Sequence, residues 1–232
     1  DQRPLAGRMK DDNDLDRAAA CAGTMTVDIP FITTRDAARD VDAVRAALDL
    51  DAWNVLGVSY GTRLAVVYDQ MFPRRARALV VDGFAPRDRA LAEDIPEDMT
   101  HALRAAGDDV VKAFVALKAK LRAAPITASV RHPTTGKLIE LPVDDKLING
   151  TVRMLIYADE TRALLGPVLQ AALDGDLQPL LALAITVGES LEGAIHGPVN
   201  ASILCAEDVP YFTDTPPPAD AVFDGAPSVR NS

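Results

Sequence analysis

Trp53-Asn54-Val55-Leu56-Gly57-Val58-Ser59-Tyr60-Gly61-Thr62-Arg63-Leu64-Ala65 decides the reading of this chain. The run from Trp53 to Val58 is short, apolar and β-prone, and it passes through Gly-x-Ser-x-Gly into a helical pattern. Leu64, Val67, Tyr68 and Met71 recur at i, i+3, i+4 and i+7 until Pro73 stops them, so a helix is expected to begin near Tyr60. A strand, a sharp turn and an immediate helix are the parts of a nucleophile elbow, which names Ser59 as the nucleophile. Gly57 and Gly61 are expected to leave room for the tight strand-to-helix crossing. The Tyr60 backbone N–H then points at a developing oxyanion, with the positive end of the helix behind it. The plainer alternative makes both glycines turn residues and Ser59 a helix N-cap.

The flanking segments favour the elbow. Ala78-Leu79-Val80-Val81-Asp82-Gly83 reads as a second buried strand after one crossover helix, as a βαβ unit requires. Upstream, Ala37, Val41, Val44 and Leu48 mark another helix, with Thr33, Thr34 and Asp36 at its start. Helix, strand, serine turn, helix, strand is the order of a doubly wound α/β core.

Composition sets limits. With 232 residues and 48% hydrophobic content the chain can bury a sizeable core. A formal charge of −10 argues against nucleic acid or an anionic membrane as partner. No apolar run reaches about 18 residues and no charged-then-apolar leader opens the chain, so neither a membrane span nor a signal peptide is expected. Cys21 and Cys205 have no metal-ligand spacing, and no metal or organic cofactor is expected. They either pair or stand as two buried thiols.

Beyond Asp82 the character changes. Helical stripes such as Val110, Phe114, Leu117 and Leu121 are followed by alternation from Ile126 to Val143 around His132-Pro133-Thr134-Thr135-Gly136-Lys137, a hairpin turn. From Asp144 to about Leu204 short helices are broken by glycine and proline. The expected layout is a partial core over 1–90, a helical cap over 91–212 containing a small β-ribbon, and a loop or frayed tail over 213–232 leading toward a further core portion.

A serine nucleophile needs an acid and a histidine after it in chain order. His132 falls in a turn and His101 in a cap helix, both expected to be solvated. His196 is the least poor candidate, but nothing after Asp82 reads as the late sheet strand that such a histidine follows, so the catalytic histidine and acid are expected outside this chain. Asp82, at the end of the second strand, is a possible acid; its alternative role is to cap the strand end. No Gly-Gly pair supplies a second oxyanion donor.

The elbow, including Tyr60 and the Thr62-Arg63 that follows it, closely resembles the prolyl iminopeptidase and tripeptidyl aminopeptidase branch of the α/β-hydrolases. Val80-Val81-Asp82-Gly83 and Ser202-Ile203-Leu204-Cys205-Ala206-Glu207-Asp208-Val209-Pro210 match further segments of that family, and Asp1-Gln2-Arg3 resembles the motif before its glycine-rich turn. The resemblance implies an α/β-hydrolase core, seen as a partial doubly wound sheet, with a mostly helical cap. It implies a serine exopeptidase that forms an acyl-enzyme on Ser59, takes peptide or small acyl substrates, and binds the substrate's free α-amino group at Glu207, with Asp208 beside it. Read without the resemblance, Glu207 and Asp208 are ordinary helix-end acids. Cys205 would be a family disulfide cysteine, and export to the periplasm or outside the cell would be expected. An esterase or lipase of the same fold, and an inactive remnant or peptide-binding module, are the alternatives. Oligomeric state is not legible.

Overall fold

The computed structural model describes residues 32–91, 94–195, 197–213 and 216–224. The expectations that fall on Cys21, His196 and the Asp1-Gln2-Arg3 segment lie outside the described residues. The chain divides into two compact units: the first takes the described residues up to Leu91 together with 197–213, the second takes 94–195 and 216–224. Segment 197–213, placed in the cap on sequence grounds, thus belongs to the first unit.

In the first unit, helix α1 (Thr34–Ala47) starts at an N-cap, Thr33, whose hydroxyl accepts from Asp36 N–H at 3.2 Å and donates to the Asp36 carboxylate at 2.5 Å. That reciprocal pairing is what a threonine with an acid three residues on provides. Strand β1 (Trp53–Val58) runs directly into helix α2 (Tyr60–Met71), and β2 (Ala76–Asp82) follows. The strands pair in parallel with Val55 opposite Leu79 and Val58 opposite Asp82, which completes the βαβ unit. Ala38, Val67 and Tyr68 form the buried core, joined by Val41, Trp53, Val55, Leu64, Met71 and Phe72. Tyr68 stacks obliquely between Trp53 and Phe72, at 6.1 and 5.4 Å between ring centres.

Burial departs from the apolar pattern in two places, and at β2 it corrects an expectation. The covered face of α1 carries Thr34, Ala38 and Arg45, while Val44 and Leu48 are exposed. Arg45 is paid for locally, because its guanidinium donates to Asp42 at 2.7 Å and to the Leu50 carbonyl. Likewise β2 is not a buried strand: Leu56 (69% exposed) and its register partner Val80 (57%) share an open face. Leu79 and Val81 on the other face of β2 are exposed as well, whereas β1 buries Gly57 and half-buries Trp53 and Val55 on one face; apolar parallel strands bury both faces only when layers cover both.

The second unit holds helices α3 (Ile95–Arg104) and α4 (Asp108–Ala123), then a hairpin of β3 (Ile126–Arg131) and β4 (Leu138–Val143). Its antiparallel register sets Ile126 against Val143 and Arg131 against Leu138, the β-ribbon expected from the alternation. Helices α5 (Asp145–Leu155), α6 (Asp159–Arg162), α7 (Leu165–Leu173) and α8 (Gln178–Ala194) follow. Asp144 caps α5 by accepting from Leu147 N–H at 2.8 Å. Phe114, Leu117, Ile148, Leu155, Leu169 and Leu181 lie in one core.

Of the loop and the frayed tail expected at the end of the sequence, residues 221–224 form an anchored loop. Phe223 is 2% exposed and meets Phe114 at 4.9 Å between ring centres, while Lys118 donates to the Val222 carbonyl at 2.7 Å. One aromatic anchor has no periodicity to reveal it, so a polar, proline-rich stretch reads as free when a single side chain ties it down.

Helix α9 (Gly197–Glu207) belongs to the first unit and is followed by Asp208 and a 3₁₀ turn over Val209–Tyr211. No described helix is long and apolar enough to cross a membrane.

Candidate active site

Ser59 sits between the last residue of β1 and the first of α2 with φ 53° and ψ −125°. Positive φ is costly for any residue with a Cβ, and such strain is found at functional turns. The conformation is held by its surroundings. Ser59 N–H donates to the Asp82 carbonyl at 2.9 Å, and the Ser59 carbonyl accepts from Thr62 N–H at 2.9 Å and Thr62 Oγ1 at 2.6 Å. Thr62 Oγ1 in turn accepts from Ala85 N–H at 2.8 Å, so the turn is fastened to the loop after β2. Ser59 itself is exposed.

Gly57 is required sterically: a Cβ there would lie 2.4 Å from the Gly61 carbonyl oxygen and 2.9 Å from the Thr62 Cα. Gly61 is different, since a Cβ would meet nothing within 4 Å. The expectation that both glycines make room is therefore corrected: Gly57 gives way to the backbone of Gly61, and one missing side chain suffices for the crossing. Gly83, at φ 66°, brings its Cα side against Ser59 and passes the chain out of β2 in a left-handed turn.

As the first residue of α2, Tyr60 has a backbone N–H without an intrahelical partner, at the positive end of a 12-residue helix. Its side chain is half-buried, and the phenol oxygen lies 2.7 Å from Thr34 Oγ1. Thr34 reaches Glu207 twice, through its N–H (2.6 Å to Oε1) and its hydroxyl (2.5 Å to Oε2). Burial is the main cause that pushes the Tyr60 phenol above its ordinary value, and the Glu207 charge reinforces it.

Asp208, adjacent in sequence, has a different fate. It is fully buried and accepts from Arg63 at 2.9 Å and from Leu91 N–H at 2.7 Å. Arg63, also buried, further donates to the carbonyls of Pro86 at 2.9 Å and Arg89 at 3.0 Å. The two acids expected to act side by side are thus separated: Glu207 is half-buried beside Tyr60, and Asp208 is an internal counter-ion.

Asp82 is exposed at the end of β2, and what it offers Ser59 is its main-chain carbonyl. Both described histidines belong to the second unit: His101 is exposed on α3, whereas His132 is more covered than a solvated turn residue and shares a 2.9 Å contact with Glu189. Cys205 is a free thiol among the described residues and exposed, which corrects the expectation of a buried thiol. Sequence reasoning missed Thr34 as a site residue; its only local signal was its place at a helix start, which also suits a plain cap.

Residues 14–133 match the family model described as alpha/beta hydrolase fold, more than half of the 232 residues, and the chain belongs to that family. Over a shorter stretch it is similar to named peptidases. It is 52% identical over 54 residues to a tripeptidyl aminopeptidase of Streptomyces lividans, covering 23% of this chain and 10% of that protein. It is 48% identical over 55 residues to the serine protease Hip1 of Mycobacterium tuberculosis, covering 24% and 11%, and 34% identical over 69 residues to a proline iminopeptidase of Xylella fastidiosa, covering 30% and 22%. The chain therefore matches between about a tenth and a fifth of the length of these relatives.

Proposed function

We propose that this hydrolase is a serine exopeptidase that releases residues from peptide N-termini through an acyl-enzyme on Ser59. The observation that carries the reading is the backbone of Ser59, held at φ 53° between a parallel strand and a helix and exposed to solvent. In this reading Ser59 Oγ attacks the peptide carbonyl as its proton passes to a general base, and the Tyr60 N–H, reinforced by the α2 dipole, receives the oxyanion. Collapse breaks the C–N bond as the amine takes that proton, and leaves the acyl-enzyme for water to hydrolyse. Glu207 pairs with the substrate's α-ammonium and so sets which peptide bond reaches Ser59. The names of the similar proteins, a tripeptidyl aminopeptidase and a proline iminopeptidase, support N-terminal peptide substrates.

Labelling with a fluorophosphonate, with Ser59→Ala as control, followed by turnover of aminoacyl-naphthylamides against p-nitrophenyl esters, tests the proposal. Ser59-dependent labelling with amide turnover is the expected result. Turnover of esters alone replaces the peptidase with an esterase. One rival is a peptide-binding module. Peptide binding without labelling of Ser59 would establish that rival.

A further inference from the structure

Glu207 closes α9, the end at which a helix dipole disfavours a carboxylate. It is compensated from α1, whose first residue, the buried Thr34, presents both its N–H and its hydroxyl to the two carboxylate oxygens. A threonine hydroxyl has one proton to give. With that proton committed to Glu207 Oε2, the 2.7 Å contact between Thr34 Oγ1 and the Tyr60 phenol runs from the phenol, so Tyr60 O–H donates to Thr34 and Thr34 donates to Glu207. Among the described residues no Lys or Arg pairs with Glu207, whereas the adjacent Asp208 is matched by Arg63.

We infer that Thr34 and Tyr60 are positioning residues for an ammonium-binding Glu207, forming a relay that fixes both carboxylate oxygens and ties them to the residue after the nucleophile. This rests on the reading of Glu207 as the amine anchor. Neutral donors suit the task, since they lock the carboxylate's geometry and leave its formal charge for the ligand, where an arginine would cancel it. The relay also works as a ruler. Tyr60 is bonded to Ser59, so the path Glu207, Thr34, Tyr60, Ser59 sets the distance from the bound amine to the attacked carbonyl through two short hydrogen bonds and one peptide link.

The test is calorimetric titration of the 232-residue chain with an alanine tripeptide amide, with and without an N-acetyl group, in Thr34→Val, Thr34→Ser, Tyr60→Phe and Glu207→Gln variants. The unmodified chain is expected to prefer the free amine. Thr34→Val and Tyr60→Phe should cut that preference, Thr34→Val by about tenfold, as loss of a hydrogen bond to a charged group does. Thr34→Ser should restore it, and affinity for the acetylated peptide should stay constant throughout. If Glu207→Gln abolishes the preference while Thr34→Val and Tyr60→Phe keep it, the relay is wrong and the anchor stands. Loss of preference in Thr34→Ser would assign the effect to the methyl packing and also overturn the relay. No preference in the unmodified chain, absence of binding included, removes the anchor and the relay together.

Discussion

Arg63 and Asp208, 145 residues apart in sequence, meet at 2.9 Å in the interior of the first unit, with 3% and 1% of their side chains exposed. The pair joins the elbow helix to the residue after α9. Leu91 N–H adds a contact to Asp208 Oδ1 and two loop carbonyls accept from Arg63, while Arg63 Nε and Asp208 Oδ2 are buried without a hydrogen-bond partner among the described residues. Removing one partner leaves a buried charge unmatched. Asp208→Asn and Arg63→Met are each expected to destabilise the first unit by about 3–5 kcal/mol, read as a lowered denaturant midpoint. The double replacement Arg63→Met with Asp208→Leu should recover much of that loss, because a desolvated ion pair is worth little net against an apolar pair. A double variant as unstable as the sum of the singles would contradict this account.

The two elbow glycines should separate cleanly. Gly57→Ala forces a Cβ to within 2.4 Å of backbone and is expected to cost about 2–3 kcal/mol or more. Gly61→Ala meets open space inside a helix and should stabilise, by up to about 1 kcal/mol, through helix propensity. Thermal unfolding of both variants checks the contrast.

Ser59 holds a positive φ that costs an L-residue about 1 kcal/mol or more. Ser59→Gly is therefore expected to raise the unfolding midpoint while eliminating fluorophosphonate labelling. A destabilised Ser59→Gly protein would mean that the hydroxyl contributes to the fold.

The acid limb of stability involves Asp42. The hydrogen bond from Arg45, chiefly, and that from the Tyr68 hydroxyl hold its carboxyl below the usual carboxylate range. A group with a depressed folded-state value contributes above its unfolded value, about 3.9, and loses that contribution as the pH falls through the folded value. Stability should thus decline below about pH 4, and Asp42→Asn should flatten that part of the profile. An unchanged acid limb in Asp42→Asn would remove Asp42 from the cause.

The elbow was legible because its signal is local: a β-prone run, a glycine under a crossing, and a helix whose apolar face repeats within eleven residues of Tyr60. The hairpin over 126–143 was legible for the same reason, since turn chemistry and alternation lie within one stretch. Thr34 and Glu207 are 173 residues apart, and no local pattern joins them. Their contact is set by how α1 and α9 pack, which the sequence encodes only through the whole first unit. Val44 and Leu48 misled for a related reason: an apolar stripe says a face can be buried, and the partner surface chooses which face is.

Phe223 has a consequence for how the chain is made. The core around Phe114 takes a side chain from near the end of the sequence, and the first unit takes α9, synthesised after all four helices α5 to α8. During vectorial synthesis neither unit can finish before the other is largely out, because each waits for residues that lie beyond its neighbour's. Such long-range closure slows folding and lengthens the time for which apolar surface stands open. A nascent chain that ended before Phe223 would leave the Phe114 ring without the side chain that covers it.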